Sequence, residues 1–457
     1  MSREGAMEKS LISLFSGAMG LDLGLEKAGF EVALALEIYK SAIETIRLNR
    51  PTLPIIEKPI AEVPTDEILT KAGLKAREVA VVSGGPCCQS FSTVGRRRSI
   101  SDPRGGLFRD FCRVVREIRP RFFVMENVKG ILSAAIRHRI LDERGPGFPP
   151  LAPDEEFGSA LKEILKELAA LRYYVVFGLL NTADFGVGQK RHRVLFIGSR
   201  DGEDIGLPKP THIDPSSRNG NGDGLRDWLT LREVLRNVEA HEWINFKEER
   251  LQLLRLVKPG QNWRDLPSEL RDKALGGASD SWGGRSGFCR RLAWERPSPA
   301  LTTAPDGRAT TLCHPDHDRP LSIEECAALQ QFPREWKFAG SVAHKYTQIG
   351  NAVPVGLGYA IGKMLLGVMR RTSQTNHVYL SRRGKVICGD PKLRERLARQ
   401  KKTQLHPPKF RKNPDPTAAR EWLSASSPQT SLPLMKEPQI NPGPTLAPIS
   451  AAPNNSR

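Results

Sequence analysis

SLISLFSGAMGLDLGLEKAGFEVALALE, residues Ser10–Glu37, decides the fold. The apolar run Ser10–Phe15 ends in small residues, Leu21–Ala28 has helical apolar spacing, and Glu31–Leu36 (EVALAL) is a second strand. A strand, a tight turn of small residues, a helix and a strand form one βαβ unit. The pattern continues outward with helical Ala42–Leu48, a strand at Val79–Ser83 that runs into Gly-Gly-Pro, and an amphipathic helix Phe108–Ile118 stopped before Pro120. Further strands are read at Phe122–Met125, Tyr173–Phe177 and Val194–Gly198. Alternation of this kind predicts an α/β fold with a largely parallel sheet and helices on both faces, and ligands in such folds bind at the carboxyl ends of the strands.

The 457 residues leave room for two or three domains. Hydrophobic residues make up 39%, which suits a globular chain, and the net charge of +18 favours a polyanionic partner, nucleic acid first. No apolar run approaches the roughly 18 residues of a membrane helix, and the polar N-terminus MSREGAMEKS does not suggest a secretory signal. Seven Cys, sparse and odd in number, argue against a disulfide scaffold and for a reducing compartment. The charge is concentrated at the end: Arg371–Arg457 holds 16 Lys+Arg against 5 Asp+Glu, with 12 of the 35 Pro. Beyond about Gln404 the composition predicts disorder, and Asp390–Lys402 predicts a short basic helix, either solvated or lying on a DNA backbone. Residues 207–224 read as a flexible connector and 225–320 as irregular, rich in Gly and Arg. Helical spacing resumes at Leu321–Leu329, with Ser322 as N-cap, and a last apolar helix covers Tyr359–Met369.

Five motifs sit at strand ends or helix starts. Phe15-Ser16-Gly17-Ala18-Met19-Gly20 allows close approach of a ligand to the backbone. Glu37 closes the second strand, where a carboxylate can accept from ribose hydroxyls or simply end a strand. Gly84-Gly85-Pro86-Cys87-Cys88-Gln89-Ser90 places a thiol on a rigid loop, where backbone N–H groups can lower its pKa. Glu126-Asn127-Val128 places a carboxyl at a sheet edge, where burial lets it hold a proton. Gln189-Lys190-Arg191-His192-Arg193 aims two alternate Arg at one face, as a cationic site or a solvated stretch. Gly350-Asn351-Ala352-Val353-Pro354 precedes the last helix. Cys313-His314-Pro315-Asp316-His317 lacks a second ligand pair at zinc spacing, so a polar turn is expected there and no metal.

In this order the motifs resemble the DNA (cytosine-5)-methyltransferase family of bacterial modification methylases, over Leu11–Gly198 and roughly Arg296–Leu366. The resemblance implies a Rossmann-like S-adenosylmethionine-dependent domain with a smaller, irregular target-recognition domain. It divides the chain into a catalytic domain (10–206), a connector (207–224), a recognition domain (225–325), a return to the catalytic domain (326–370) and a tail (371–457). The cofactor would be S-adenosylmethionine, lined by Phe15, Gly17, Ala18, Met19, Gly20, Glu37, Ile38, Ile60, Pro86 and Leu107 and closed by Asn351 and Ala352. Cys88 would be the nucleophile and Glu126 the group that engages cytosine N3, with Arg191 and Arg193 bracing the pocket. Gln89, Ser92, Arg96, Arg97 and Arg98 on a lid, and Arg285, Arg290 and Arg291 in the recognition domain, would contact DNA. Arg296–Thr303 resembles the family's ninth motif, with a structural role. Three positions depart from the family: Met19 where Gly is usual, Cys87 where Pro is usual, and Pro59, before Ile60, where an adenine-binding Asp is usual.

The implied reaction is C5 methylation of a cytosine, flipped out of a specific duplex DNA sequence, by a cytoplasmic, nucleoid-associated monomer. Its implied role is protection against a cognate restriction endonuclease. Competing readings are a tRNA cytosine-5 methyltransferase, a catalytically silent DNA-binding regulator on the same scaffold, and, from the first motif alone, an NAD-dependent oxidoreductase.

Overall fold

The computed structural model describes residues 9–86, 106–139, 143–144, 147–218, 224–276, 286–372 and 382–405. Eight segments form one sheet: Ser10–Leu14 (β1), Glu31–Leu36 (β2), Ile55–Ile56 (β3), Val81–Gly84 (β4), Phe122–Val128 (β5), Tyr174–Asn181 (β6), His192–Ser199 (β7) and Val386–Cys388 (β8). Their spatial order is β8–β6–β7–β5–β4–β1–β2–β3. All neighbours are parallel except β7, which runs antiparallel to β5 and to β6. β1 and β4 are buried along their whole length, as strands covered on both faces must be. Alternation divides their side chains between two apolar layers. Ile12, Leu14, Val82 and Phe123 join one, and Leu11, Val81, Phe122 and Val124 join the other.

The helices Gly20–Ala28 (α1), Lys40–Asn49 (α2), Thr65–Ala72 (α3), Leu107–Ile118 (α4) and Ser159–Ala170 (α5) connect the strands. α1 starts from a strained turn, with Phe15, Gly17 and Met19 at φ of 57°, 52° and 64°. The segment 225–325 contains Leu231–Leu235 (α6), Glu248–Leu254 (α7) and Ser268–Leu275 (α8). Ile323–Leu329 (α9) follows, with Ser322 as N-cap: its hydroxyl accepts from Glu325 N, and the Glu325 carboxylate accepts from Ser322 N. Val342–Asn351 (α10) and Val355–Thr372 (α11) return the chain to the sheet. By length and composition alone, Val342–Arg371 is apolar enough to cross a membrane, contrary to the expectation from sequence. Here Leu357, Ile361 and Leu365 of that stretch are wholly buried in the core. α11 lies against α1 through glycines. A Cβ on Gly358 would sit 2.5 Å from Leu21 O, and one on Gly24 2.3 Å from Val355 O.

The expected tail begins later than residue 371. β8 adds to the sheet edge beside β6, and Pro391–Leu405 (α12) packs Leu393 into the core. The basic helix expected at 390–402 is therefore part of the fold, while residues 406–457, expected to be disordered, lie outside the described residues. In the connector, His212–Ile213 pairs with Arg226–Asp227, and 219–223 lie outside the described residues.

Asp22 on α1 is wholly buried beneath the strand ends. It accepts from Ser13 Oγ at 2.8 Å and Ser83 Oγ at 3.1 Å, two residues that face each other across β1 and β4. Burial pushes its carboxyl up to about 7 despite the two serine hydrogen bonds. The folded state therefore binds a proton that the unfolded chain releases near pH 4. That contribution to stability is complete below pH 4 and lost as pH rises through 7. Asp22→Asn should gain on wild type by on the order of 2–3 kcal/mol between pH 5 and pH 8. Urea denaturation at both pH values measures this, and parallel pH profiles for the two proteins would contradict it.

Candidate active site

The antiparallel β7 sets the geometry of the site. Its first residues lie at the same edge of the sheet as the last residues of the parallel strands, so Arg193 pairs in register with Val128 of β5 and Leu180 of β6. β5 runs further than the sequence predicts, through Val128, and carries Glu126 inside the ladder opposite Leu195. Glu126 and Arg193 are 8% and 9% exposed, and Arg193 Nε lies 2.5 Å from Glu126 Oε1. Neither of these two atoms has an aligned hydrogen-bond partner among the described residues. Burial pushes the Glu126 carboxyl up from its ordinary range, against the opposing pull of the Arg193 and Arg191 guanidinia. The loop leaving β4 passes directly over this carboxyl: a Cβ on Gly85 would stand 2.9 Å from Glu126 Oε2. Asn127 Nδ2 reaches back to Pro86 O at 3.5 Å. That loop continues to Cys88, which lies outside the described residues, as do Gln89, Ser92, Arg96, Arg97, Arg98 and Arg285.

Arg191 does not join this pair. It is 2% exposed, and its two terminal nitrogens donate to Leu301 O (2.9 Å) and Gly350 O (2.6 Å). The fork ties the segment 296–303 to the last turn of α10, so Arg191, expected to brace the pocket beside Arg193, braces backbone instead. Gln189, which opens the Gln189–Arg193 motif but has no role of its own in the sequence reading, and Gln330, which the sequence reading does not single out, complete the tie. Gln189 Oε1 accepts from Leu301 N, its Nε2 donates to Gln330 Oε1, and Gln330 Nε2 donates to Ile349 O and Ala352 O. A buried amide reads in sequence as any polar residue, so no local signal marks it.

The second half of the site lies at the ends of β1 and β2. The Glu37 carboxylate accepts from the backbone N–H groups of Gly17 (2.7 Å), Ile38 (2.7 Å) and Tyr39 (2.9 Å). It thus holds the strained turn open and keeps lone-pair capacity for one further donor. Ile38 and Tyr39 are 51% and 58% exposed, an unusual state for apolar side chains at a strand end, and nothing stands within 4 Å of where a Gly17 Cβ would be. An apolar ledge beside a carboxylate and an open backbone turn fits a nucleoside such as that of S-adenosylmethionine. The Ala18 and Met19 side chains are buried, so they can serve a ligand through backbone only. Ile60 is 2% exposed and lies in the core beneath, while Leu107 is half-buried, Pro86 buried and Asn351 exposed.

In the segment 225–325, expected to recognise DNA, Arg291 is corrected from a DNA contact to an internal brace. It is 5% exposed and donates to the carbonyls of Leu254, Val257, His314, Pro315 and His317 and to Asp318. The stretch Cys313–His317 is the turn closed around it, with His314 Nδ1 accepting from Asp316 N and His317 N. Arg290 stays half-buried and donates from Nε to Thr311 O, with no carboxylate partner among the described residues.

Arg191→Lys keeps the charge and loses the fork. It should cost about 1–3 kcal/mol of stability and weaken S-adenosylmethionine binding, read by thermal denaturation and calorimetry. Unchanged stability with a selective loss of kcat would instead assign Arg191 to substrate.

A family model for C-5 cytosine-specific DNA methylases matches residues 9–367. The chain is 34% identical to the type II methyltransferase M.Sau96I of Staphylococcus aureus, over 78% of this chain and 75% of that protein. It is 33% identical to M.Eco47II of Escherichia coli, over 80% of each. Among solved structures, a candidate DNA modification methyltransferase from an E. coli prophage shares the fold at a TM-score of 0.54 and 24% identity, over 79% of this chain and 99% of the other. Spodoptera frugiperda DNMT2 does so at 0.51 and 15%, over 78% and 99%. The chain belongs to the C-5 cytosine-specific DNA methylase family, whose members take their methyl group from S-adenosylmethionine.

Proposed function

We propose that the protein methylates C5 of a cytosine within a specific duplex DNA sequence, by transient addition of Cys88 to C6 of a flipped base. The observation that carries this reading is the buried Glu126–Arg193 pair, unaligned and directly beneath the loop that leads to Cys88. Cytosine C5 is a poor nucleophile because its electrons belong to an aromatic ring. Addition of the Cys88 thiolate at C6 forms a C–S bond and turns C5 into an enamine-like carbon, with negative charge developing on N3 and O2. Burial raises the Glu126 carboxyl and so favours the protonated form that can donate to N3, and the Arg193 guanidinium lies beside it for O2. S-adenosylmethionine supplies an electrophilic methyl group on a sulfonium. C5 takes that methyl as its bond to the sulfonium breaks and leaves a neutral thioether, a base removes the C5 proton, the electron pair expels the Cys88 thiolate from C6, and N3 returns its proton to Glu126. Flipping the base out of the stack costs about a few kcal/mol. The basic residues Arg96, Arg97 and Arg98 on the lid, and Arg290 in the recognition region, are the groups we assign to phosphates.

The relatives named type II methyltransferases support a protective role beside a cognate restriction endonuclease. Bisulfite sequencing of plasmid DNA from cells expressing the protein tests the whole reading. It should reveal one short sequence context with a single modified cytosine, and unmodified plasmid would contradict it. Two variants divide the roles. Cys88→Ser should abolish methyl transfer and keep DNA binding, and turnover near wild type would contradict the mechanism. Glu126→Gln should lower kcat by about 10²–10³ with little change in DNA affinity, measured by single-turnover methylation.

A further inference from the structure

α2 and α10 are joined by a buried side-chain bond between residues 303 positions apart in the chain. Thr45, wholly buried, donates from Oγ1 to Gln348 Oε1 at 2.6 Å, and the same oxygen accepts from Ala339 N at 2.8 Å. Gln348 is buried as well, and its Nε2 donates to Ala339 O at 2.9 Å. A hydroxyl, an amide and the backbone of one residue thus close a set of three hydrogen bonds. One turn further along α2, Asn49 clasps the backbone of Lys337, donating to its carbonyl at 2.7 Å and accepting from its N–H at 2.9 Å. Apolar packing alone is non-directional, whereas these bonds fix how α2 sits against the returning chain.

Both ends of this contact lead into the candidate cofactor site. α2 begins at Lys40, directly after Glu37, Ile38 and Tyr39. The Glu37 carboxylate accepts from Tyr39 N with one oxygen and from Gly17 N with the other. On the opposite side, Gln348 O accepts from Ala352 N at 3.1 Å. Ala352 Cβ in turn lies 3.2 Å from where a Cβ on Gly20 would stand, at the start of α1. The links close a ring from Gly17 through Glu37 and Tyr39 into α2, across Thr45–Gln348 to Ala352, and back to Gly20. The ring passes between the early and late parts of the chain at two places. Gly20 and Ala352 meet by close packing, and Thr45 and Gln348 meet by a hydrogen bond between side chains.

We propose that Thr45 and Gln348 are positioning residues for S-adenosylmethionine. Their bond sets the separation between the ledge Ile38–Tyr39 and the closing residues Asn351 and Ala352, and through it the affinity for the cofactor. The inference deepens the reading of these residues as the cofactor site and rests on it. Walls that hold the closed arrangement only part of the time bind a ligand more weakly in the same proportion. Breaking one member of a buried network also leaves its partners unpaired, so the remaining contacts do not restore the arrangement. The role lies in holding the walls and not in methyl transfer, so kcat at saturating cofactor is kept.

The test is calorimetric titration of S-adenosylmethionine into the free protein, with thermal melts in its absence and presence. Thr45→Val keeps the shape and removes the hydroxyl. It should raise Kd about tenfold, as expected for one buried hydrogen bond, and shrink the rise in melting temperature that the cofactor confers. KM for the cofactor should rise with it while kcat holds. Thr45→Ser should restore wild-type affinity. Thr45→Val combined with Gln348→Met should bind no more weakly than the weaker single variant, because both break the same link. Asn49→Ala, whose bonds lie outside the ring, should melt lower yet keep the wild-type Kd. Wild-type Kd in Thr45→Val would overturn the proposal, and Gln348→Met decides by the same measure if that variant does not fold. An equal rise in Kd in Asn49→Ala would also overturn it, since general loosening would then be the cause. Wild-type Kd in Glu37→Gln would instead defeat the reading of the cofactor site itself, so the two failures are distinct.

Discussion

The site depends on a carboxyl and a guanidinium that are buried together without being fully satisfied. Glu126 and Arg193 come from strands that run in opposite directions, and only an antiparallel pairing puts the start of β7 beside the end of β5. Had β7 entered parallel, Arg193 would stand at the opposite edge of the sheet. Removing two ionisable groups from water costs more than their contact returns unless other hydrogen bonds complete them. Here the burial falls on Glu126, whose carboxyl is held above its ordinary range. In the proposed function, a cytosine edge would complete both groups and offset that cost.

The rest of the fold keeps that pair in position. Asp22, Ser13 and Ser83 lock the two strand ends from which the turn Phe15–Met19 and the loop toward Cys88 depart. Arg191, Gln189 and Gln330 fasten Leu301 to the segment Ile349–Ala352 by hydrogen bonds to backbone carbonyls and amides, which any side chain in those segments would permit. Glycines on α1 and α11 let the returning helix close on the helix that follows the cofactor turn. Arg291 does for the segment 225–325 what Arg191 does for the core, gathering five carbonyls and a carboxylate around one guanidinium.

Much of this was legible from residue order. The strands and helices read through Gly198 appear where the periodicity of apolar residues places them, while β3, α3 and α5 were not read, and Ser322 with Glu325 is a capping box readable by eye. Strand direction was not legible: VLFIG at 194–198 is fully buried and has the same pattern either way round. β8 was missed because three residues in a basic segment carry no period, and its placement comes from an open sheet edge. The fate of each Arg was also hidden. Arg191, Arg193, Arg290 and Arg291 look alike in sequence, yet one joins a carboxyl, two brace backbone and one stays half-buried with no carboxylate partner among the described residues. Burial is a property of the fold, and it decides which role a guanidinium takes.

The central claim is that a sulfur atom bonds transiently to C6 of the base. Duplex DNA carrying 5-fluorocytosine at the target blocks the later loss of the C5 substituent and so traps that bond. With S-adenosylmethionine and the purified protein, mass spectrometry should find a stable protein–DNA adduct on the peptide containing Cys88. A protein that methylates ordinary duplex yet forms no adduct with the fluorinated one, or forms it elsewhere, would contradict the account.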